Sequence, residues 1–140
     1  MRKYKVILSA LLGILLAVPI MLVACNDNTP PVTPYFPVLK EPESIYPESL
    51  AMGRLSIIDN CLRLKPGESL LLIWPYGYTL AINGGEISVV DNKGHIVARV
   101  GDSIKVGGGE IPLEIVEKYI GGPLPDNCTG PYWLVSHIVE

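Results

Sequence analysis

Turn-forming residues recur so closely between residues 50 and 106 that no stretch between them is long enough for a crossover helix. The breaks contain glycine, proline, asparagine or aspartate, which tolerate or fix the backbone angles that tight turns require. They fall at residues 59–60, 65–68, 75–77, 83–85, 91–94 and 101–102. Strands joined by short connections pair antiparallel, because a parallel pair needs a connection of about a dozen residues or more. The spacing therefore predicts an antiparallel β structure.

The segments between these turns have the apolar patterns of β-strands. Leu55 and Ile57 share one face of their segment, and residues 69–74 form a continuous apolar run of the kind found in a strand that is covered on both faces. Candidate strands span residues 54–58, 61–64, 69–74, 78–82, 86–90, 95–100, 103–106 and 132–139. About six to eight short strands at this spacing predict a mainly β fold, either a small antiparallel barrel (OB-like) or a sandwich.

One short helix is expected after the strand series. Residues 107–109 are all glycine and predict a loop. Residues 111–120 follow, with an apolar stripe at positions 113, 116 and 120, and Pro112 suits the first turn of a helix. Gly121 and Gly122 are expected to end this helix.

The first 25 residues have the composition of an export signal. Arg2, Lys3 and Lys5 precede an apolar run over residues 6–22, which is shorter than the about 20 residues that a membrane-spanning helix needs. The run closes in Leu22-Val23-Ala24-Cys25, an order that resembles the lipobox of bacterial lipoprotein signals. The resemblance implies cleavage before Cys25 and lipid on Cys25, so that the mature protein is held outside the cytoplasm on the cell membrane or the outer membrane. The alternative is an uncleaved N-terminal anchor.

Composition divides the chain into a signal peptide (1–24), a proline-rich linker that starts at the lipidated Cys25 (25–49) and a β domain (50–140). The linker contains six prolines and no periodic apolar pattern. We expect it to be an extended spacer with a rise of about 3.1 Å per residue and a reach of up to roughly 70 Å. In the alternative, Tyr35, Phe36 and Val38 pack on the domain and order part of the linker.

Two cysteines remain once Cys25 is assigned to lipid. Cys61 and Cys128 form an even pair in an oxidising compartment, which predicts a disulfide. A domain of this size buries a small share of its surface and benefits from such a cross-link. The competing interpretation, a catalytic thiol, requires a base and an orienting partner. Neither His95 nor His137 lies in a recognisable nucleophile motif.

The mature chain is acidic. Without the three basic residues of the leader, 8 basic and 14 acidic residues remain, which gives a net charge of −6. This balance argues against nucleic acid as a partner and against peripheral binding to anionic lipid, because both need basic patches. His95 and His137 lack the spacing of a zinc site. We expect no metal, no cofactor and no catalytic residue.

Aromatic side chains are the best candidates for a binding surface. Trp74, Tyr76 and Tyr78 lie at one predicted strand–turn–strand corner, and Tyr132 and Trp133 begin the last candidate strand. Aromatic rings at the rim of a barrel can stack on sugars or peptides. In the alternative, both tryptophans fill the core and the tyrosines close its ends through their hydroxyl groups.

Several runs of the domain resemble small secreted or lipid-anchored bacterial β domains that have no assigned activity. The matching positions are Gly53 and residues 60–63, 72–75, 97–102, 107–110 and 128–133. The resemblance implies an extracytoplasmic location and a cysteine pair, and it carries no catalytic residue to this chain.

The sequence thus predicts a lipid-anchored, extracytoplasmic binding or interaction module of the bacterial cell envelope that has no catalytic activity. Its expected partners are the membrane, through the lipid, and an envelope protein or a cell-wall glycan. Two alternatives stay open: an envelope hydrolase or thiol enzyme that uses Cys61 or Cys128, and an accessory structural subunit of an envelope complex.

Overall fold

The structure is a computed structural model that describes residues 32–65 and 67–139. The predicted signal peptide (1–24), the lipidation site Cys25 and the first part of the linker lie outside the described residues, as does Pro66 of the 65–68 turn.

The described residues form eight strands and one short helix, which confirms the predicted mainly β class. They are β1 (Ser49–Ile58), β2 (Cys61–Lys65), β3 (Leu70–Ile73), β4 (Thr79–Asn83), β5 (Glu86–Val90), β6 (Ile96–Arg99), β7 (Ser103–Ile111), α1 (Leu113–Ile120) and β8 (Tyr132–Val139). Five strands close a barrel in the order β1-β2-β3-β8-β7, and β4, β5 and β6 form a separate three-stranded sheet. Of the two predicted architectures, barrel and sandwich, the structure therefore has the barrel.

Two-residue turns join several strands at the predicted positions. Asp59 and Asn60 have positive φ angles of 51° and 61° between β1 and β2. Gly84 and Gly85 have φ angles of 57° and 86° between β4 and β5. Positive φ at both central residues is typical of type I′ turns, whose twist matches that of antiparallel strands.

One pair of neighbouring barrel strands departs from the antiparallel expectation. β3 and β8 are parallel, with Leu71 opposite Tyr132 and Ile73 opposite Leu134. The chain between them contains the β4–β6 sheet, β7 and α1, so it is far longer than the connection that a parallel pair requires. The prediction rested on the short connections within residues 50–106, and β8 lies beyond them.

The glycines at 107–109 lie inside β7, so the loop predicted there is wrong. They are buried, and their small size lets neighbouring groups approach the strand. A Cβ atom on Gly107 would overlap the ring of His137. Gly108 has a φ angle of 139°, and a Cβ atom there would overlap the carbonyl group of Leu134. The register between β7 and β8 shifts at this point, because β8 has a β-bulge opposite the glycine run, which itself continues the strand.

The barrel interior holds the larger of two apolar cores. The β4–β6 sheet packs against the same core, because Val89 of β5 and Ala98 of β6 are part of it. Its buried members are Leu55, Leu62, Leu64, Leu72, Trp74, Val89, Ala98, Val106, Trp133 and Val135.

A second core lies on the outside of β3 and β8, beneath α1. Leu71 and Ile73 of β3 alternate along the strand with residues that face the barrel interior, and Val116 of α1 packs with them. Leu39, Cys61, Cys128 and Leu134 complete the buried set. Because β3 is covered on both faces, its continuous apolar sequence has a direct explanation.

Residues 34–39, which composition assigns to the linker, pack against the barrel. The backbone N–H of Trp74 donates to the carbonyl oxygen of Pro37 at 2.8 Å, and the N–H of Leu39 donates to the carbonyl oxygen of Trp74 at 2.9 Å. Leu39 is only 3% exposed and belongs to the second core. We call residues 34–39 the strap.

Tyr35, Phe36 and Val38 pack on the domain and order part of the linker, as in the alternative to a fully extended spacer. Tyr35 forms a β-bridge with Cys61, and Val38 forms one with Trp74. The ring of Phe36 stacks on Trp74 with 5.4 Å between the ring centroids. The strap therefore contributes to the domain, which extends N-terminal of β1.

The predicted disulfide between Cys61 and Cys128 is present, with 5.7 Å between the two Cα atoms. It joins the start of β2 to the loop between α1 and β8, and both cysteines are fully buried in the second core. Arg63 holds the same loop from a buried position. Its guanidinium group donates hydrogen bonds to the carbonyl oxygens of Ser69 and Thr129.

Reduction of the disulfide should lower the free energy of unfolding by about 4 kcal/mol, because the bond closes a loop between residues 67 positions apart and so limits the unfolded chain. Urea unfolding of the mature domain with and without dithiothreitol measures this difference. The double variant Cys61→Ala/Cys128→Ala is the control, since dithiothreitol should leave its stability unchanged. A loss below about 1 kcal/mol on reduction would contradict the stabilising role given to the bond.

Candidate functional site

The five aromatic residues predicted as a binding surface do not share one surface. Trp74 is fully buried and Trp133 is 8% exposed, and both lie in the barrel core. Tyr132 packs against the second core, outside the barrel. Tyr78 is half-buried, and Tyr76 is 48% exposed. The alternative, that the tryptophans fill the core, therefore describes both of them, and only the 76–78 corner offers rings to a ligand.

The buried ring of Trp74 contacts this corner through Tyr78. Its indole stacks with two other rings, Phe36 of the strap at a centroid distance of 5.4 Å and Tyr78 at 6.2 Å. Stacking between aromatic rings stabilises the folded state beyond the contribution of their burial. The core tryptophan thus fixes the orientation of Tyr78, which is the first ring of the corner to reach the surface.

A cleft of about 440 Å³ opens at this corner. It is lined by the chain that follows the strap, by the 75–78 corner, by the β5–β6 turn and by β8. Its lining residues are Pro42, Glu43, Tyr46, Pro75, Tyr76, Tyr78, Asn92 and Ser136. We call it the tyrosine cleft. Gly77 is required here, because a Cβ atom at this position, where φ is 81°, would lie 3.0 Å from the side chain of Asn92.

A second, wider groove adjoins the tyrosine cleft. It has a volume of about 740 Å³, shares Tyr46 and Ser136 with the cleft, and continues along residues 44–50 to His137. The two depressions adjoin at Tyr46 and Ser136, which line both. Together they offer an elongated path rather than a closed pocket.

Glu43 carries the negative charge of the cleft. Its carboxylate accepts hydrogen bonds from the backbone N–H groups of Ile45 at 3.1 Å and Ser44 at 2.8 Å, and these bonds hold its pKa below the usual range. Tyr119 and Lys118 of α1 lie close enough to the same carboxylate to lower its pKa further. Glu43 is therefore ionised at neutral pH, and its carboxylate is held by the backbone N–H groups of its own turn.

Tyr46 and Tyr78 of the cleft remain neutral at physiological pH. Burial raises the pKa of Tyr78, and the nearby charge of Asp91 raises it further. Burial also raises the pKa of Tyr46, with a smaller contribution from Glu43. The cleft thus presents apolar ring faces together with neutral phenol groups, one carboxylate and one carboxamide.

The described residues offer little machinery for catalysis. They contain no group of three or more histidine, cysteine, aspartate or glutamate side chains placed to hold a metal ion. Cys61 and Cys128 are both in the disulfide, so neither supplies a thiol. The hydroxyl oxygen of Ser136 lies 2.8 Å from Nδ1 of the exposed His137, but no carboxylate among the described residues hydrogen-bonds to that ring. A hydrolytic triad therefore lacks its third member in this part of the chain.

Sequence reasoning found Tyr76 and Tyr78 but missed the rest of the cleft. Glu43 and Tyr46 lie in the segment assigned to a spacer, where no periodic pattern marks them. Asn92 lies in a predicted turn, and Ser136 is the extra residue of β8 at the bulge opposite the glycines. An aromatic residue within a proline-rich segment was the one available signal for Tyr46.

The comparisons do not assign this geometry to a known class. No protein-family model, curated protein or solved structure matches the chain. Among the residues that the structure describes, no helix has the length and apolar character needed to cross a bilayer.

Tyr78 should make the stability of the domain fall at alkaline pH. Its pKa is raised in the folded state, so the unfolded chain loses the phenol proton first, and stability that is fully present below about pH 10 is lost as the pH rises further. The variant Tyr78→Phe should show a smaller decrease in the free energy of unfolding between about pH 9 and pH 11. Urea unfolding across this range measures the effect.

The companion variant Asp91→Asn removes the charge that contributes to this shift and keeps an oxygen that can accept the turn hydrogen bonds from Lys93 and His95. It should reduce the alkaline loss by less than Tyr78→Phe does, because burial is the larger cause. An alkaline loss that is identical in Tyr78→Phe and the parent chain would contradict the buried environment described for this ring.

Proposed function

We propose that the protein is a lipid-anchored, extracytoplasmic binding module of the bacterial cell envelope, and that the tyrosine cleft binds a glycan chain of the cell wall. The observation that carries the proposal is the cleft itself, where Tyr46, Tyr76 and Tyr78 line a surface groove together with Glu43 and Asn92. Ring faces pack on the apolar faces of sugars, and carboxylate and carboxamide groups hydrogen-bond to sugar hydroxyls.

The shape of the site supports a polymer rather than a small metabolite. Small-molecule sites are usually concave and enclose most of the ligand. Here the tyrosine cleft continues past Tyr46 into the wider groove beside residues 44–50. A chain of linked sugars matches such an open, elongated path.

The charge of the mature chain distinguishes a glycan from a nucleic acid. Small barrels of the OB-like type bind oligonucleotides or oligosaccharides. A mature net charge of −6 and the ionised Glu43 in the cleft would repel a phosphate backbone. Since fold alone does not determine function, this analogy supports the proposal only together with the residues of the cleft.

The location follows from the N-terminal sequence and is supported by the cysteine chemistry. The lipobox-like order at residues 22–25 motivates the anchor. A buried disulfide between Cys61 and Cys128 is typical of proteins that fold in an oxidising compartment.

The exposed ring of Tyr76 should be central to glycan binding. Tyr76→Ala should raise the Kd for soluble N-acetylglucosamine oligomers or peptidoglycan fragments about tenfold, the effect of losing one aromatic contact. Tyr76→Phe keeps the ring and should bind like the parent chain. Isothermal titration calorimetry measures both.

Ile96→Ala is the control, because Ile96 is 47% exposed and lies outside the tyrosine cleft and the adjoining groove. Its Kd should be unchanged. Equal affinities for Tyr76→Ala and the parent chain, or the absence of binding to every glycan tested, would reject the glycan assignment.

The anchor is tested separately by mass spectrometry of the protein from the membrane fraction of a bacterial host. The N-terminal peptide should begin at Cys25 and carry a diacylglyceryl group, because two or more acyl chains are needed for stable anchoring. The variant Cys25→Ser should keep residues 1–24 and lack the lipid. Recovery of the parent protein with its leader intact and Cys25 unmodified would contradict the anchor.

A further inference from the structure

Three cations lie together on an exposed outer face of the barrel. Arg54 of β1 is directly opposite Lys65 of β2. Met52, two residues earlier on the same face of β1, is directly opposite Lys105 of β7 and is 61% exposed. Leu50 continues the row at 55% exposed. We call Leu50, Met52, Arg54, Lys65 and Lys105 the basic face.

The cations of the basic face have no acidic partner among the described residues. The ion pairs found in this part of the chain join His95 to Asp91 and Arg99 to Glu86. Like charges directly opposite each other on antiparallel strands repel, so the pairing of Arg54 with Lys65 is unfavourable unless an external anion lies nearby. In a mature chain with a net charge of −6, this local excess of positive charge marks a surface that suits an anionic partner.

The apolar members of the basic face indicate what kind of anion it meets. Met52 and Leu50 are unbranched at Cβ, exposed, and adjacent to the cations in the same sheet. A surface that combines cations with exposed apolar side chains fits the interface of an anionic bilayer, where phosphates lie beside acyl chains. A soluble polyanion would leave the apolar part in water.

The strap places the barrel close to the anchor. Tyr35 is bound to the barrel through its N–H, which donates to the carbonyl oxygen of Asn60 at 2.7 Å. Ten residue steps separate it from Cys25, so the connection spans at most about 35 Å when fully extended. This is half the reach expected for a spacer that continues to residue 49. Arg54 lies six residues from Asn60, about 20 Å along the barrel wall, which is within that reach.

We propose that the basic face docks the barrel on the surface of an anionic phospholipid bilayer. Arg54, Lys65 and Lys105 contact lipid phosphates, and Leu50 and Met52 enter the interface. This inference rests on the lipid anchor of the proposed function, to which it adds a second attachment. It reverses the expectation from net charge that peripheral contact with anionic lipid is absent, because docking depends on local charge and not on the sum. None of these five residues lines the tyrosine cleft, so docking leaves that cleft open to a ligand, and Leu50 alone among them lines the adjoining groove.

The test uses the mature chain with Cys25 coupled to a maleimide phospholipid, so that anchoring does not depend on acylation in the cell. Cys25 is the single free thiol of the mature chain, since Cys61 and Cys128 are bonded. The vesicles contain either phosphatidylcholine alone or an equal mixture with phosphatidylglycerol. Brief acetylation followed by mass spectrometry reports the accessibility of each lysine.

Labelling of Lys65 and Lys105 should fall about fivefold or more in the mixed vesicles, the effect expected for even one cation held at an anionic surface. Labelling of Lys93 and Lys118, which are exposed elsewhere, should not change. High salt should restore labelling of the first two, because it screens the attraction.

Two variants with the same change in charge separate docking from a general charge effect. Arg54→Glu should abolish the protection of Lys65 and Lys105, and Lys93→Glu should leave it intact. Equal labelling in both kinds of vesicle, protection that extends to Lys93 and Lys118, or protection that rises with protein density on the vesicle would each overturn the proposal. The last result would indicate contact between copies of the chain. Failure of native acylation would remove the anchor of the proposed function but would leave this result unaffected.

Discussion

The backbone hydrogen bonds between the strap and Trp74 are the interaction on which the rest of the structure depends. Trp74 follows β3 and is fully buried, so its N–H and carbonyl groups need partners inside the protein. Pro37 accepts from its N–H and Leu39 donates to its carbonyl oxygen. Leaving such groups unpaired in the interior would cost about 1–3 kcal/mol each. The strap therefore pairs with the barrel beside Trp74 as an added strand would, and Phe36 covers the indole that fills the core.

Two functional consequences follow from this attachment. It directs the next residues, 42–46, across the 75–78 corner, which creates the tyrosine cleft and brings Glu43 beside α1. It also reduces the number of residues between Cys25 and the barrel, which places the basic face within reach of a bilayer in the proposed docking. The proposed ligand site and the proposed membrane contact thus share one structural origin in a segment that composition alone describes as a spacer.

The sequence predicts the elements well because turns and strand alternation are local signals, as at Gly84 and Gly85, and the cysteine pair follows from count and compartment. It fails where the cause is distant in the chain. The buried glycines of β7 look like a loop until His137 is seen against Gly107, and the parallel pairing of β3 with β8 depends on the whole intervening chain. The cleft is divided in the same way: the 76–78 corner is marked by its aromatic residues, whereas Tyr46 gains its role from contacts made by the strap.

Hydrogen exchange at the backbone amides of Leu39 and Trp74 in the mature protein tests this account most directly, because each is a donor in one of the two strap hydrogen bonds. If the strap is part of the barrel, both amides should exchange only when the barrel opens, with protection equal to that of core amides such as Leu72. If Leu39 and Trp74 exchange as fast as an unstructured peptide while Leu72 stays protected, the strap is not bound to the barrel, and the cleft and the short connection derived from it are contradicted.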